Sequence, residues 1–240
     1  MSQWFSWLVL AFAVIVFPTL FFVVAPYGRH ARAGWGPSMP AKLGWVLMEA
    51  PSFFLFAIAW WLNPAFGTLT VSLLGAAYLL HYGQRTFIYT ARMRADGKVK
   101  PVLTVAMAIV FNVLNGWGNG SQLMDRPIDF ALIAGLALFF LGFGINVHSD
   151  AVLRSLRAPG EGGYKVPTGG LHHFVASPNY FGEVIEWLGF AIAAQTLAGW
   201  AFFAFTCANL VPRARSNWAW YRKQFADYPA SRRALIPFVW

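Results

Sequence analysis

Three acidic residues of the chain lie inside apolar stretches, where a charged side chain is costly. Glu49 occurs in WVLMEAPSFF, and both Glu183 and Glu186 occur in SPNYFGEVIEW. An ionisable group near the centre of a bilayer costs at least about 2.5–3.5 kcal/mol, so such groups usually face a protein interior and have a function. These carboxyl groups therefore indicate a candidate functional site.

The surroundings of Glu49 point to hydrogen-bond donation. A carboxyl group among apolar residues tends to stay protonated near neutrality, and a neutral carboxylic acid can donate a hydrogen bond to a carbonyl oxygen. Glu49 could act in this way on a substrate carbonyl. The alternative is a structural hydrogen bond that relieves a helix kinked at Pro51.

Polar residues at helical spacing occur in three further segments. HYGQRTFIY places Tyr82, Arg85 and Tyr89 on one helical face, and Arg85 makes a face turned towards lipid implausible. SPNYFGEVIEW places Asn179 on one face with Glu183 and Glu186, while Ser177 suits the helix cap and Pro178 suits the first turn. NVHSDAVLRSLR has the polar residues Asn146, Asp150, Arg154 and Arg157 at spacings of four, four and three.

The segment NVHSDAVLRSLR leaves two interpretations open. Asp150 and Arg154 could form an ion pair within one helix, or the segment could clamp a polar cofactor at the cytoplasmic end of a membrane bundle.

The composition requires lipid around this chain. Of its 240 residues 58% are hydrophobic and only 11% are charged, and the mean hydropathy is +0.52. A soluble domain has about 25% charged residues. The sequence therefore predicts a polytopic, all-α membrane protein that forms a single domain over residues 1–240.

The apolar stretches predict the membrane spans. A helix needs about 20 apolar residues to cross a bilayer. The candidates are Trp4–Val24, Leu43–Leu62, Leu69–Thr90, Val102–Leu114, Phe130–Val147 and Tyr180–Leu210. Trp4–Val24 is interpreted as a retained helix, because no basic region precedes it.

The stretch Tyr180–Leu210 is long enough for two spans with a turn near Gly199. With that turn, all Lys and Arg residues except Arg85 and Arg126 fall on one side of the membrane. Cytoplasmic loops carry such an excess. We therefore predict seven transmembrane helices with the amino terminus outside and the carboxyl terminus in the cytoplasm. The net charge of +9 then needs no nucleic acid as a partner, although it could help to bind a phosphate-bearing cofactor.

Several kinds of site are disfavoured. There is no GxxxxGK[ST] phosphate loop, and the near-match to GxGxxG at 142–147 ends an apolar helix instead of following a strand, which excludes a Rossmann domain. His172 and His173 are adjacent and have no Cys or carboxylate at ligand spacing, so no metal site is predicted. Cys207 is alone and is interpreted as a small buried apolar residue.

The chain resembles the steroid 5α-reductase family from about Tyr27 to its carboxyl terminus. The resemblance lies in MEAPSF, HYGQRTFIY, GINVHSD, LRAPGEGGYKVPTGGL, SPNYFGEVIEW and DYPASRRALIPF. It implies a seven-helix membrane enzyme that binds NADPH inside the bundle and reduces the C4–C5 double bond of 3-oxo-Δ4 steroids or similar enone lipids. The hydrophobic substrate would enter from lipid, in the cell inner membrane if the chain is bacterial and in the endoplasmic reticulum if it is eukaryotic.

The resemblance also implies residue roles. Glu49 and Tyr82 would bind the 3-carbonyl oxygen while hydride passes to C5, and Trp45 would line the steroid pocket. The implied cofactor contacts are Tyr89, Asn146, Asp150, Arg157, Tyr164, Asn179, Glu183, Arg213, Asn217, Tyr221 and Arg232. Glu186 receives no role beyond a structural one.

The chain departs from the family pattern near the expected cofactor. Asn217 stands where animal members carry His, Met93 replaces an Asn, and the loop from Met93 to Lys100 is longer. These departures affect the adenosine and phosphate contacts and the preference for NADPH over NADH.

Two other functions remain as alternatives. A membrane methyltransferase of the isoprenylcysteine or phospholipid type has a PNY-x-G-E-like motif and uses S-adenosylmethionine, but it has no need of the pair Glu49 and Tyr82. A transporter would often show an internal repeat with paired broken helices, and the sequence has none.

Overall fold

The computed structural model describes residues 3–26, 28–30, 32, 34–94, 97–156, 158 and 161–240. Its helices are α1 (Trp4–Phe22), α2 (Ala41–Trp61), α3 (Leu69–Gly83), α4 (Thr90–Arg92), α5 (Val102–Gln122), α6 (Phe130–Ser155), α7 (Pro178–Ala194) and α8 (Leu197–Gln224). A π-helical turn, Gln84–Tyr89, joins α3 to α4, and the strands β1 (Ser38–Pro40) and β2 (Val99–Pro101) form a small antiparallel sheet. The predicted helical fold is confirmed, with this two-stranded sheet as an addition.

Within the described part of the chain, four helices are long and apolar enough to cross a membrane. They are α1, α2, α5 and α6. Large apolar side chains cover their outer faces, and Phe22 and Phe130, for example, are each 86% exposed. Such surfaces suit contact with lipid. The chain is therefore an integral membrane protein.

The stretch predicted to hold two helices is divided at Gln195 and Thr196. Gln195 has a left-handed backbone with φ of 53° and ends α7, and the Thr196 hydroxyl accepts a hydrogen bond of 3.1 Å from the Gly199 amide at the start of α8. The two helices are confirmed, but the break precedes Gly199, because Gly199 donates to the cap and belongs to the helix.

Helices α5 and α6 extend beyond the predicted spans. The prediction ended α5 at Leu114 and α6 at Val147, whereas they continue to Gln122 and Ser155. The added segments contain buried polar residues, such as Asn115. Because hydrogen bonds within the bundle satisfy these groups, the loss of apolar character does not end the helix.

Glycines bring α6 and α7 into backbone contact. A methyl group at Gly142 of α6 would overlap the Gly182 carbonyl oxygen and the backbone of Glu186. A methyl group at Gly182 would lie 2.6 Å from the backbone nitrogen of Asn146. Gly189 of α7 packs in the same way against Phe139. Small residues at such positions are how membrane helices approach closely. The contact sets the polar ends of α6 and α7 side by side.

The small sheet ties the start of α2 to the start of α5. Met39 pairs with Lys100, the Ala41 amide donates to the Lys98 carbonyl at 2.9 Å, and the Val102 amide donates to the Pro37 carbonyl at 2.9 Å. This arrangement fixes the backbone from which the Lys100 side chain extends.

We predict that Gly142→Ala destabilises the protein while Gly144→Ala does not. The added methyl group at Gly142 has no space and should lower the free energy of unfolding by about 1–3 kcal/mol. Gly144 lies on the same helix with nothing within 4 Å of its Cβ position, so alanine there should be neutral or stabilising by up to about 1 kcal/mol. Thermal unfolding in detergent measures both variants, and equal midpoints would contradict the close contact.

Candidate active site

Two asparagine amides hold the hydroxyl of Tyr82. Tyr82 lies near the end of α3 and is only 3% exposed. Its hydroxyl donates to Asn112 Oδ1 over a long 3.5 Å and accepts from Asn115 Nδ2 at 3.3 Å. Asn115 also donates to the hydroxyl of Tyr78, one turn earlier on α3, at 2.9 Å. Because Asn115 donates to the oxygen of Tyr82, it does not compete for the hydroxyl proton, which is engaged only in the long bond to Asn112.

The same Asn112 also contacts the part of α2 that carries Glu49. Its Nδ2 donates to the Met48 carbonyl oxygen at 2.6 Å, and its Oδ1 accepts from Ser52 Oγ at 2.9 Å. Met48 and Ser52 lie on either side of Glu49 in the sequence. Asn112 therefore links Tyr82 to the residues on either side of Glu49.

The carboxyl group of Glu49 is available to a ligand. Glu49 lies on α2, which continues through Pro51, and within the described ranges its carboxyl group forms no hydrogen bond. Arg85, Glu183, His81 and Lys100 interact with it electrostatically. The expectation that Glu49 relieves the backbone at Pro51 by a hydrogen bond therefore finds no support in the geometry.

Arg85 joins the predicted substrate residue Trp45 to the predicted cofactor residues. Its guanidinium lies 4.8 Å from the Trp45 ring centroid and 5.2 Å from that of Tyr89, and its Nη1 lies 3.7 Å from Asp150 Oδ2. Trp45 and Tyr89 are themselves 5.1 Å apart. Asp150 therefore pairs with Arg85, and not with Arg154 as one interpretation of the sequence had it. The π-helical turn that follows α3 brings Arg85 close to the end of α6.

Four of the predicted cofactor residues form one network between α6 and α7. Asn179 Nδ2 donates to Asp150 Oδ1 at 3.0 Å. Asn146 Nδ2 donates to the Asn179 carbonyl oxygen at 3.0 Å and to Glu183 Oε2 at 3.3 Å. The structure thus brings these four residues together, and their binding of a cofactor stays a prediction.

The first turn of α7 connects to α8 through Ser177. Pro178 occupies the first turn as predicted, but the Ser177 side chain does not cap α7. Instead Ser177 Oγ accepts from Asn217 Nδ2 at 3.1 Å, while Asn217 Oδ1 lies 3.1 Å from Nε2 of His30. Asn217 is therefore held from two sides.

One face of α8 carries Arg213, Asn217 and Tyr221 at spacings of four. Arg213 Nη2 donates to the hydroxyl of Tyr180 at 3.2 Å. Tyr221 is buried and stacks on Tyr228 with ring centroids 5.3 Å apart. This face presents cationic, amide and aromatic groups in sequence.

Two further predicted cofactor residues, Tyr164 and Arg232, lie around the same end of α8. The guanidinium of Arg29 lies 4.6 Å from the Tyr221 ring and 5.5 Å from the Tyr164 ring. Arg232 is 4% exposed, and its Nη1 donates to the Pro167 carbonyl oxygen at 2.8 Å. Arg157, which was also predicted to bind cofactor, lies outside the described residues.

Glu186 has a structural partner. His81 Nδ1 and Glu186 Oε1 share a hydrogen bond of 2.7 Å, and both side chains are buried. The pair ties α3 to α7 directly beside Tyr82. This accounts for the one acidic residue in an apolar stretch that had no assigned function.

Sequence reasoning missed Asn112, Asn115, Ser52 and His81. A signal for the first two exists, because three asparagines occur at helical spacing in FNVLNGWGNG. Amides buried in a membrane helix are costly in the same way as the carboxyl groups, although less so. Nothing in the spacing identifies His81 as the partner of Glu186.

Comparison with known proteins shows the family of the chain. The family model of 3-oxo-5-alpha-steroid 4-dehydrogenase matches residues 98–240. The chain is 39% identical to a steroid 5-alpha-reductase of Gossypium hirsutum, covering 98% of this chain and 97% of the relative. It is 38% identical to 3-oxo-5-alpha-steroid 4-dehydrogenase 1 of Bos taurus over 98% and 95% of the two chains. The corresponding human protein is 40% identical over 89% and 85%.

These similarities identify both the class of the protein and its family. The chain is a membrane-embedded oxidoreductase, and it belongs to the 3-oxo-5α-steroid 4-dehydrogenase family, which is the steroid 5α-reductase family that the sequence resembles. The predicted resemblance is confirmed.

We predict that Glu186→Leu is strongly destabilising and that Glu186→Gln is much less so. Leucine leaves a buried His81 nitrogen without its partner, which should cost about 1–3 kcal/mol, whereas the glutamine oxygen can still accept a hydrogen bond. Glu161→Leu is the control, because Glu161 pairs with Lys165 at the surface, where ion pairs contribute about 0–1 kcal/mol. Thermal unfolding of the three variants measures the difference, and equal losses for Leu and Gln would contradict the hydrogen bond.

Proposed function

We propose that the protein reduces the C4–C5 double bond of 3-oxo-Δ4 steroids or similar enone lipids with NADPH. The main supporting observation is that Asn112 joins the hydroxyl of Tyr82 to the helix segment around Glu49 inside the bundle. The two potential donors, the Tyr82 hydroxyl and the Glu49 carboxyl group, thus belong to one region between α2, α3 and α5. The names of the relatives, steroid 5-alpha-reductase and 3-oxo-5-alpha-steroid 4-dehydrogenase, support the substrate class.

In this proposal Glu49 and Tyr82 donate hydrogen bonds to the 3-carbonyl oxygen of the substrate. When C5 receives a hydride, negative charge develops on that oxygen. Donors that are already in place stabilise this charge without reorganisation, and they act more strongly where water is excluded. Asn115 donates to the oxygen of Tyr82, and the substrate oxygen would take the tyrosine proton in place of the long bond to Asn112. Trp45, one turn before Glu49, would line the steroid pocket.

The side chains present suit a dinucleotide. Arg29 Nη1 and Arg232 Nε are buried and have no hydrogen-bond partner among the described residues, so they could donate to phosphate oxygens. Arg213, Asn217, Tyr164 and Tyr221 lie near them, and the network of Asn146, Asp150, Asn179 and Glu183 lies towards the substrate donors. NADPH, when bound, supplies the hydride. Tyr89 and Arg157 complete the proposed cofactor residues.

We further propose seven membrane spans, with the amino terminus outside and the carboxyl terminus in the cytoplasm. The four apolar helices supply four spans, and α3, α7 and α8 pack against them as the other three. The distribution of Lys and Arg in the sequence supports this orientation. A hydrophobic substrate would reach the site from lipid.

The proposed reaction can be tested with purified protein in detergent. NADPH and a panel of Δ4-3-ketosteroids should give loss of NADPH absorbance together with the saturated ketone. A panel without turnover, under conditions where the protein is folded, would reject the steroid substrates. Stronger binding of S-adenosylmethionine than of NADPH would favour the methyltransferase alternative.

We predict that Glu49→Gln retains more activity than Glu49→Ala. A glutamine amide can still donate a hydrogen bond to the carbonyl oxygen, while alanine removes the donor, so alanine should lose about 100- to 1,000-fold in kcat. Steady-state kinetics with a Δ4-3-ketosteroid measures both variants. Equal loss in the two variants would indicate that Glu49 acts as a carboxylate instead.

We predict that Tyr82→Phe lowers kcat by about 100-fold while the dissociation constant of NADPH changes little. Tyr78→Phe is a matched control, because the Tyr78 hydroxyl belongs to the same network through Asn115 and Ser52. It should lose much less activity. A large loss of NADPH affinity in Tyr82→Phe, measured by titration calorimetry, would instead place Tyr82 in the cofactor site.

A further inference from the structure

The proposed reduction consumes a proton in each turnover, and the buried donors must recover it. The hydroxyl of Tyr82 is connected to Asn112 and Asn115, whose amides do not titrate. His81 and Glu186 are hydrogen-bonded to each other between α3 and α7, and their side chains are 4% and 0% exposed. Neither arrangement provides a route for protons from water to Glu49.

Lys100 places an amine beside the Glu49 segment of α2. Its Nζ lies 4.0 Å from the Trp45 ring centroid and 3.6 Å from Met48 Sδ. Met48 precedes Glu49 directly, and Trp45 lies one helical turn before it. The residue is only 6% exposed, and Lys100 and Glu49 interact electrostatically.

The backbone of Lys100 lies close to the protein surface. It belongs to β2, and its neighbour Val99 is 55% exposed while Lys98 is also exposed. The side chain therefore runs from the exposed edge of the small sheet into the bundle. A proton carried on this amine could pass between the solvent side and Glu49.

The charges around Lys100 suit such a transfer. Burial lowers the pKa of the Lys100 amine, Glu49 raises it, and the positive charges of Arg213 and Arg85 lower it, which together give a pKa of about 7. The amine is therefore protonated below about pH 7 and neutral above it. A group with a pKa near the working pH can both donate and recover a proton efficiently.

We propose that Lys100 is the proton-relay residue that returns a proton to Glu49 after each reduction. This rests on the proposed function. Hydride addition forms the C5–H bond and moves the double-bond electrons onto the carbonyl oxygen as an enolate. The Glu49 O–H bond breaks and its proton goes to that oxygen. The enol becomes the ketone as its O–H proton is released to solvent and C4 takes a proton from solvent, so Glu49 remains a carboxylate. A Lys100 N–H bond then breaks, its proton goes to the Glu49 carboxylate, and the neutral amine takes a proton from water.

Stopped-flow kinetics with NADPH and a Δ4-3-ketosteroid tests the relay. Lys100→Arg keeps a cation near Trp45, but a guanidinium does not release its proton in proteins. Its first turnover, which uses the proton already on Glu49, should stay within about twofold of the wild type. Later turnovers should be at least about tenfold slower. This factor is smaller than the rate enhancement that general acid catalysis usually provides. Lys100→Met should behave in the same way, and added methylamine should accelerate its later turnovers.

The pH profile provides a second readout. The kcat of the wild type should fall above about pH 7, as Lys100 loses its proton, and this decline should be absent in Lys100→Arg. Lys42→Met, which removes an exposed lysine at the start of α2, is the control and should retain the decline.

Three results would overturn the relay. The first is that Lys100→Arg slows the first and the later turnovers equally. The second is that the kcat of the wild type does not fall above about pH 7. The third is that both Lys100 variants keep the pH profile of the wild type. If the wild type itself does not reduce the enone, the proposed function fails instead, so the two failures are distinguishable.

Discussion

The backbone contact between α6 and α7 is the constraint on which the rest of the site depends. Gly142 and Gly182 allow the two helices to touch along their length. Because of this approach, Asn146 reaches Glu183, and Asp150 reaches Asn179. The same helix α7 presents Glu186 to His81 on α3, next to Tyr82. A wider separation of α6 and α7 would break both hydrogen bonds between these two helices.

The second determinant is how the bundle satisfies its buried polar groups. Lipid offers no hydrogen-bond partners, so polar side chains must find them on neighbouring helices. Arg85 lies near Asp150 and between aromatic rings, and His81 pairs with Glu186. Glu49 differs from these charged groups, because its carboxyl group has no hydrogen-bond partner among the described residues. A carboxyl group left in this state inside the bundle is where a substrate would be expected to bind.

Helical periodicity predicted much of this site and failed in specific ways. Spacing alone placed Asn179 with Glu183, Asn146 with Asp150 and Tyr82 with Arg85, and the resemblance added the role of Tyr82. Periodicity defines which residues share a face, but it does not define which faces meet. The partners of Asp150 and Glu186 therefore came only from the fold, as did the role of Asn112 between α2 and α3. The ends of α5 and α6 were misplaced because buried asparagines continue a helix that hydropathy alone would end. The break at Gln195 was expected from length and charge, but its position depended on a cap formed by Thr196.

The central claim is that hydride reaches C5 of an enone whose carbonyl oxygen is bound by Glu49 and Tyr82. The most direct measurement uses NADPH deuterated at the transferring position, a Δ4-3-ketosteroid, and NMR of the isolated product. The proposed chemistry predicts deuterium at C5 and none at C4, where the hydrogen comes from water. Deuterium at C4, or at C3 as an alcohol, would contradict it.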